Sequence, residues 1–318
     1  MALHKYVLYG LGVHSQIALW GDEVPTALRD VVVSLDTSGE AAERDARFAG
    51  SRRAADEIRL AWPKMCEMSI RSGRAIVVRP WTDGDGASES GRLRHLVGGI
   101  ALGLVLHQRG RLTLHAAAVS VAGRAVVIVG PKGAGKSTLA AALCERGHAV
   151  LTDDVVAFDL ADAAAPRVEI GPDNTNLWPD SAIATGCDLS ALAPICAEYP
   201  KLAGRVSTTR PNEPVPLGAI IILANDDAGD EEQRLKPVDA FTHLVVHSHA
   251  FRWIEGTPDL PRHLAQCQQV LAHAPVFLVR RGDSLALLPT LAARVEDLVE
   301  RACAVEPDAY RQRAVAAL

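Results

Sequence analysis

The sequence is poor in aromatic residues and in closely spaced cysteines. Phenylalanine, tryptophan and tyrosine together make up 4% of the 318 residues. The six cysteines are scattered along the chain without any C-x-x-C spacing. Disulfide-held domains and structural zinc sites both draw on paired cysteines, so neither is expected. We therefore expect free thiols, a reducing environment and a core of aliphatic side chains.

The chain also lacks long apolar runs and an excess of basic charge. The formal net charge is −5, which gives no electrostatic basis for binding nucleic acid or an anionic membrane. The most apolar stretch, residues 96–106, is too short to span a bilayer and contains three glycines. Residues 1–20 lack the apolar core and small-residue cleavage site of a secretory signal. The sequence predicts a soluble, cytoplasmic protein with no nucleic-acid or membrane partner.

The first part of the chain has the patterning of short strands. Alternating apolar residues predict strands over 3–10, 12–19, 31–35 and 75–80. Residues 40–60, rich in charge and alanine, indicate an exposed helix or connection. Asp83-Gly84-Asp85-Gly86 is a loop at which we place a boundary. We predict a smaller N-terminal β-rich α+β domain over 1–85, with a role in binding substrate or partner.

Strands and helices alternate in the remainder of the chain, which is typical of an α/β fold. Helical patterns cover 88–108, 239–247, 260–273 and 285–304, and apolar strands lie between them. Residues 171–216 show little periodicity beyond a short helix over 180–195, so we expect a long functional loop there. The α/β domain is predicted to span 86–318.

Residues 130–137, GPKGAGKS, fit the phosphate-binding pattern G-x-x-x-x-G-K-[ST]. An apolar strand precedes this P-loop and a helix follows it, so backbone amides and a helix N-terminus converge on one point. The alternative, a glycine turn before an ordinary helix, is disfavoured by the rarity of the pattern. We predict a nucleotide triphosphate site formed by Gly130, Pro131, Lys132, Gly133, Ala134, Gly135, Lys136, Ser137 and Thr138.

The polar residues of this segment predict ATP and Mg²⁺. Lys136 would stabilise the outer phosphates, and the Ser137 hydroxyl would bind Mg²⁺. Asp153 and Asp154 end the next strand, at the sheet edge where ligands of α/β proteins bind. One carboxylate can join Ser137 as a metal ligand, and the other can accept a proton from an attacking hydroxyl. His115 lies in an apolar strand, where a core histidine is the alternative.

The spacing of these residues resembles that of the HPr kinase/phosphorylase family. The positions that match are His115, Lys136, Ser137, Arg146-Gly147-His148 and Asp153-Asp154. The resemblance implies a P-loop kinase domain related to phosphoenolpyruvate carboxykinase, with ATP, Mg²⁺ and a protein seryl hydroxyl as acceptor. It implies that Asp154 is the catalytic carboxylate and that His115 is the active-site histidine. It also implies a homo-oligomer, because HPr kinases form hexamers.

Three segments resemble a subgroup of that family, the HPr-kinase-like proteins of lasso-peptide biosynthesis clusters. They are YGLGVHSQIAL at 9–19, the core LTLHAAAVSV–GKST–LTDD within 112–154 and NLWPDS at 176–181. This resemblance implies transfer of phosphate to a serine hydroxyl at the C-terminus of a precursor peptide. The chain differs from the wider family at Thr138, where a glutamate is usual.

Several basic residues outside the loop are candidates for a further phosphate or substrate cation: Lys201, Arg205, Arg210 and Arg252. Such a cation can be worth roughly a thousandfold in phosphoryl transfer. Solvated loop charges are the alternative for each. His243, His247 and His249 have metal-like spacing, but no neighbouring Glu or Cys completes a site, which favours surface or capping histidines.

These observations predict an ATP-dependent kinase for a Ser/Thr hydroxyl of a peptide or small protein. In it Lys136, Asp153, Asp154 and His115 would form the catalytic group. A nucleotide-binding regulator without catalysis is one alternative, although regulation alone needs neither the acidic pair nor the histidine. A kinase for a small-molecule hydroxyl is another.

Overall fold

The computed structural model describes residues 3–36, 50–54, 56–62, 65–80, 86–196, 199–206, 209–225 and 232–303. The chain divides into two compact units, residues 1–111 with 194–200, and residues 112–193 with 201–318. The sequence places the end of the first domain at residue 85. The helical segment that follows residue 85 counts with the first unit because it packs on the sheet of that unit.

The first unit contains a mixed seven-stranded sheet in the order β1-β2-β3-β7-β6-β5-β4. β2–β3 and β3–β7 are parallel pairs, and the other neighbours are antiparallel. Alternate residues such as Met68, Ile70, Ile76 and Val78 are fully buried, as expected of strands with one face on a core. The strands are β1 (His4–Leu8), β2 (Leu11–Ser15), β3 (Val31–Leu35), β4 (Gly50–Arg53), β5 (Glu57–Trp62), β6 (Cys66–Arg71) and β7 (Ala75–Pro80).

The helix or connection predicted over 40–60 is wrong where the structure describes that segment. Residues 50–53 and 57–62 are strands that pair antiparallel with each other. Ile58 and Leu60 are buried on either side of exposed Arg59. This alternation has the two-residue period of a strand, but the many charged residues around it made the period hard to recognise. Residues 40–49 lie outside the described residues.

A broken helix follows the sheet and packs on it. It comprises α1 (Gly86–Leu96), a π-helical turn over Val97–Ala101 and α2 (Leu102–Gln108). The Gln108 side chain accepts from Gly73 N at 2.7 Å and donates to Ile70 O at 3.2 Å. The guanidinium of Arg94 lies 4.8 Å from the Trp20 ring centroid. These contacts join both ends of the broken helix to the first unit.

The second unit begins with three strands and the P-loop helix and continues with further helices and short strands. Its first elements are β8 (Thr113–Leu114), β9 (Ala116–Val121), β10 (Arg124–Val129), α3 (Lys136–Glu145), β11 (Ala149–Thr152), β12 (Val156–Asp159), β13 (Arg167–Val168), β14 (Asn174–Leu177) and α4 (Pro179–Thr185). The later elements along the chain, of which residues 194–200 count with the first unit, are β15 (Leu192–Cys196), β16 (Tyr199–Arg205), β17 (Val215–Ala224), β18 (Glu232–Arg234), α5 (Pro237–Val246), α6 (Phe251–Ile254), α7 (Leu260–Leu271), β19 (Val276–Arg280) and α8 (Leu288–Cys303).

The central sheet of this unit has nine strands among the described residues, with β10 between β9 and β17. One path through it runs β11-β9-β10-β17-β13-β12-β8, and β19 pairs with β17 and β18. β10, β17 and β19 are parallel, so their carboxyl ends meet at one edge. β9 and β11 lie on the opposite side of β10 from β17 and β19.

Helices cover both faces of this sheet. Val127 and Val129 of β10 point to the face packed by α5 and α7, through residues such as Leu244 and Cys267. Val126 and Ile128 point to the face packed by α3 and α8. A strand buried on both faces needs the continuous apolar run that residues 125–129 provide. The predicted α/β class is confirmed.

The long loop predicted over 171–216 is wrong in part, because three strands lie within it. The short helix predicted over 180–195 is present as α4 (Pro179–Thr185). β14 pairs antiparallel with β16, from Asn174 opposite Arg205 to Leu177 opposite Leu202. β14 buries the polar side chains of Asn174, Thr175 and Asn176. A buried strand of polar residues has no apolar period to detect.

Within the described ranges, no helix combines the length and the apolar composition that a bilayer crossing requires.

An ion-pair cluster joins the C-terminal end of α3 to α8. The guanidinium of Arg146 donates to both carboxylate oxygens of Glu296, at 2.7 and 2.6 Å. His148 Nε2 lies 2.8 Å from Oε1 of the same carboxylate. These hydrogen bonds lower the pKa of Glu296 below its usual range, that from Arg146 most strongly. Two members of the Arg146-Gly147-His148 triplet therefore brace two helices of one layer.

We expect Glu296→Gln to lower the free energy of unfolding at pH 7 by about 1 kcal/mol, the scale of a partly exposed, bidentate ion pair. Because the pKa of Glu296 is depressed in the folded state, its contribution is present above the unfolded pKa. It is lost as the pH falls through the folded pKa. Urea denaturation at several pH values should show the difference closing in acid. Asp297→Asn is the matched control, since Asp297 is exposed and pairs only one turn along α8.

Gly130 is the point of closest approach between the P-loop and the sheet. A Cβ atom on Gly130 would lie 2.6 Å from the carbonyl oxygen of Leu223 in β17. Main-chain atoms in the middle of a buried sheet cannot move aside, so the contact restricts the position to glycine.

We predict that Gly130→Ala destabilises the protein by about 1–3 kcal/mol, the usual range for overpacking a buried site. The comparison is Gly133→Ala, where a Cβ would meet no atom within 4 Å and only left-handed backbone strain of about 1 kcal/mol applies. Chemical denaturation of the two variants measures the difference. Equal losses would show that the clash with Leu223 O is relieved by local movement.

Candidate active site

The P-loop, residues 130–135, joins the carboxyl end of β10 to the N-terminus of α3. In α/β proteins ligands bind outside the carboxyl ends of parallel strands. β17 and β19 end at the same edge, and the residues after β11 reach it from the other side of β10. The loop therefore lies at the centre of the edge at which the fold can place a ligand.

The backbone of the P-loop suits an anion. Gly135 has a φ of 95° and forms the N-cap of α3, a left-handed conformation that favours glycine. The first N–H groups of an α-helix have no partners within the helix, and the helix dipole places positive potential there. Ser137 and Thr138 lie in this first turn. The geometry can therefore present several N–H donors to phosphate oxygens.

Lys136 is buried and turns back over the P-loop. Its ammonium donates to the carbonyl oxygens of Gly130 at 2.9 Å and Pro131 at 3.2 Å. Burial lowers the pKa of Lys136, and the carboxylates of Asp153 and Asp154 oppose that shift. An ammonium held inside the ring of the loop is a point charge at the centre of the candidate phosphate site.

Asp153 is a buried carboxylate with three hydrogen-bond donors. Ser137 Oγ donates to its Oδ1 at 2.9 Å, as does Asp154 N at 3.0 Å. Asn176 N donates to Oδ2 at 3.0 Å. Burial raises the pKa of Asp153, while the donors from Asn176 and Ser137 act in the opposite direction. The first turn of α3, the end of β11 and the middle of β14 thus meet at one carboxylate.

The paired oxygens of Ser137 and Asp153 fit the chemistry of Mg²⁺. This ion prefers hard oxygen ligands and is usually held by one or two carboxylates together with substrate phosphates and water. Among the described residues no group of three or more His, Cys, Asp or Glu side chains could hold a metal ion. One hydroxyl and one carboxylate leave the other coordination positions of such an ion to phosphate oxygens and water.

Asp154 and His115 contact each other beside this pair. Asp154 has a left-handed φ of 78°, which is uncommon for a residue with a side chain. His115 Nδ1 lies 3.0 Å from the carbonyl oxygen of Asp154 and 3.2 Å from its Oδ1. Both oxygens are acceptors, so Nδ1 carries the hydrogen. Both side chains remain partly exposed, which leaves the carboxylate accessible.

His247 is close to this group, and its position was not predicted from the sequence. Its carbonyl oxygen accepts from His115 N at 2.8 Å, at the break between β8 and β9. Its ring stacks on His243 with centroids 6.2 Å apart. Burial, and to a smaller extent the charges of Lys136, His243 and His115, lower its pKa to about 4. His247 is therefore neutral at pH 7 and positions the backbone of His115.

Among the candidate cations, Lys201 is the one whose charge acts on the pKa of Asp153 and of Lys136. Its ammonium is 5.6 Å from the centroid of the Trp178 ring. Its charge lowers the pKa of Asp153 and of Lys136, so it contributes to the field at the loop. Trp178 is half-exposed and directly follows β14. The charge of Lys201 therefore acts on the carboxylate to which Ser137 donates.

The other candidate cations have different partners. Arg205 forms an ion pair with the buried carboxylate of Asp173. Arg210 donates to main-chain carbonyl oxygens after and within β11, among them Val150 O at 3.1 Å and Gly171 O at 3.0 Å. Arg252 is exposed and lies 5.3 Å from the ring centroid of its neighbour Trp253. The engagement of Arg210 makes it a structural link rather than a solvated loop charge.

The remaining P-loop residues divide by exposure. Pro131, Lys132 and Gly133 are exposed at the tip of the loop, whereas Ala134 is buried beneath it. Thr138 is buried in the first turn of α3. The tip of the loop is therefore exposed to solvent, whereas the residues that follow it are more buried.

Comparison with known proteins gives one family match that coincides with this site. Residues 109–168 match the family described as HPr Serine kinase C-terminal domain. No curated protein matches the chain. Among solved structures the chain is similar to the Hpr(Ser) kinase/phosphatase from Coxiella burnetii, at 15% identity, with 59% of this chain and 98% of that chain covered and a TM-score of 0.30. The matched segment contains His115, the P-loop and the Asp153–Asp154 pair, and it is similar in sequence to an HPr serine kinase domain.

Proposed function

We propose that the chain binds ATP with Mg²⁺ at residues 130–138 and transfers the terminal phosphate to a side-chain hydroxyl of a peptide or small protein. The observation that supports this most strongly is the chain of contacts from Ser137 through Asp153 and Asp154 to His115. A phosphate site alone needs only the loop. An accessible carboxylate held by a histidine next to that loop is suited to accepting a proton.

In this proposal the chain's own residues supply charge and position. Lys136 would lie against the transferring phosphate, and the amides of the first turn of α3 would hold the adjacent phosphates. Ser137 and Asp153 would hold Mg²⁺, which neutralises developing charge on the phosphate oxygens when bound. Catalysis of phosphoryl transfer is mostly positioning and electrostatic stabilisation, so these roles account for most of the expected rate.

Asp154 would act as the base. The acceptor oxygen forms a bond to the γ-phosphorus as the bond from that phosphorus to the β–γ bridging oxygen breaks, so ADP leaves. The hydroxyl proton passes to the carboxylate of Asp154. His115, through its Nδ1–H, would hold that carboxylate towards the acceptor, which makes His115 a positioning residue. Partial exposure of Asp154 leaves room for the acceptor to approach.

The family match supports a serine hydroxyl as the acceptor group, because the matched description is that of a serine kinase domain. We extend the proposal to the C-terminal serine of a lasso precursor peptide on the resemblance of residues 9–19, 112–154 and 176–181 noted above. Incubation with ATP, Mg²⁺ and candidate peptides, followed by mass spectrometry, tests both steps. Added phosphate on a peptide serine supports a kinase. Nucleotide binding without transfer to any peptide or small-molecule hydroxyl would instead favour a regulator.

We expect Lys136→Met and Asp154→Asn each to abolish transfer while the protein remains folded. Methionine fills the buried site of the lysine, and asparagine tolerates the left-handed backbone at position 154 better than most residues. The measurements are the rate of phosphate incorporation and the thermal unfolding of each variant. Asp162→Asn removes an exposed acid elsewhere in the unit and should leave the rate unchanged. Wild-type transfer by Asp154→Asn would exclude Asp154 as the base.

Lys201 is the candidate cation that we carry forward, because its charge acts on both Asp153 and Lys136. We expect Lys201→Met to lower kcat by about a hundredfold, the scale found when a positioned charge stabiliser is removed. Lys201→Arg should recover part of this loss, since the charge is kept. Lys236→Met, an exposed lysine before α5, is the charge control. A kcat for Lys201→Met within about twofold of wild type would remove Lys201 from the proposal.

A further inference from the structure

The chain changes its strand partners at His115. β8, on the N-terminal side of His115, pairs with β12, whereas β9, on the C-terminal side, pairs with β10 and β11. His115 lies in the bend between the two strands, and the registers of both ladders stop short of it. Its main chain therefore takes its position from the groups that hydrogen-bond to the bend.

The bend is held by residues 247–249, which connect α5 to α6. The carbonyl oxygen of His247 accepts from His115 N at 2.8 Å. On the other side of the bend, His249 N donates to Thr113 O at 3.0 Å. The position of the 247–249 segment therefore sets the position of the His115 backbone.

Ser248, the middle residue of that segment, links it to α7. Ser248 lies opposite Leu114 in an antiparallel bridge, and its Oγ is 2.7 Å from Nε2 of His263. Ser248 is 8% exposed and His263 is 2% exposed. Burial, and to a smaller extent the charge of Arg262, lowers the pKa of His263, so its ring is neutral at pH 7. A neutral imidazole and a hydroxyl can form this hydrogen bond in either direction.

α7 gives this hydrogen bond a firm support. Cys267, one helical turn after His263, has its Sγ 3.8 Å from the same Nε2. Cys267 and Val270 belong to the apolar cluster on one face of the central sheet, where close packing resists displacement. The contacts thus run from the packed helix through His263 and Ser248 to the bend at His115.

Stability alone does not require a buried serine–histidine pair. Apolar side chains of similar shape in place of both partners can be nearly neutral or stabilising, since no polar group is then left to satisfy. A hydrogen bond, however, is directional and restricts the position of its partners. Position matters at His115, because its Nδ1 lies 3.0 Å from the carbonyl oxygen and 3.2 Å from Oδ1 of Asp154. A misplacement of about 1 Å in a catalytic group can cost roughly a hundredfold in rate.

We propose that Ser248 and His263 are positioning residues for the proposed transfer: they hold the bend so that His115 meets the carboxylate of the proposed base. The inference rests on the proposed function, because it assumes that Asp154 accepts the proton of the acceptor hydroxyl. It adds two residues that act through His115 and not on the nucleotide.

The first test compares Ser248→Ala with Thr185→Val in the full chain, with Mg²⁺-ATP and synthetic peptides that end in serine. Thr185 is the matched control, because its hydroxyl is equally buried but donates within α4, to Ser181 O at 2.9 Å. We expect Ser248→Ala to lower kcat about tenfold, a part of the roughly 10²–10⁴-fold that a positioned base contributes. The KM for ATP should not change, since the P-loop is untouched. Thr185→Val should keep kcat within about twofold of wild type.

Two further variants separate positioning from stability. The double variant Ser248→Ala, His263→Leu leaves neither partner unsatisfied, so it is the variant to use should Ser248→Ala fail to fold. We expect its thermal unfolding midpoint to stay close to that of wild type while kcat shows the same tenfold loss. In a His115→Gln background, Ser248→Ala should cause no further loss of kcat, because the two substitutions affect the same ring.

The remaining outcomes contradict either the inference alone or the proposed function with it. A double variant with both the midpoint and the kcat of wild type overturns the positioning role. So does a loss of kcat for Ser248→Ala that is as large in the His115→Gln background as in wild type. Wild-type protein that transfers no phosphate to these peptides overturns the proposed function and the inference together.

Discussion

The burial of the Asp153 carboxylate is the constraint on which the candidate site depends. A buried charge is costly unless donors surround it, and here the donors come from three separate segments. Ser137 is at the start of α3, Asp154 N is in the turn after β11, and Asn176 N is in β14. If any one of these were displaced, the carboxylate would lose a donor that little water is at hand to replace. The positions of the P-loop helix, of the turn after β11 and of β14 therefore depend on one another.

The parts of the site that lie close together in the sequence could be predicted. The contacts that depend on the pairing of distant segments could not. The strand, loop and helix around residues 130–137, and the acidic pair at the end of the next strand, follow from apolar runs and glycine spacing. The main-chain donor of Asn176 leaves no signal in the sequence, because any residue but proline has an N–H. His247 reaches His115 only through the pairing of residue 247 with the break between β8 and β9.

The same distinction explains the errors of secondary structure. In β5, Ile58 and Leu60 alternate with polar residues as a strand requires. The charged composition of the surrounding residues, however, favours a helix or a loop. β14 buries Asn174, Thr175 and Asn176, because it lies beside the polar site and not in an apolar core. The Arg146-Gly147-His148 triplet illustrates the reverse case, since its spacing indicates a family motif while its contacts with Glu296 brace α3 on α8. Spacing alone cannot separate a motif that acts on a ligand from one that holds helices together.

Asp154 combines a left-handed backbone with a side chain that contacts His115. Left-handed conformations cost a residue with a Cβ atom about 1 kcal/mol relative to glycine. Glycine at this position would relieve the backbone and remove the carboxylate in one substitution. At this one position the chain cannot have both an unstrained backbone and the carboxylate that the proposed transfer requires, so the strain is a direct consequence of keeping an acid beside His115.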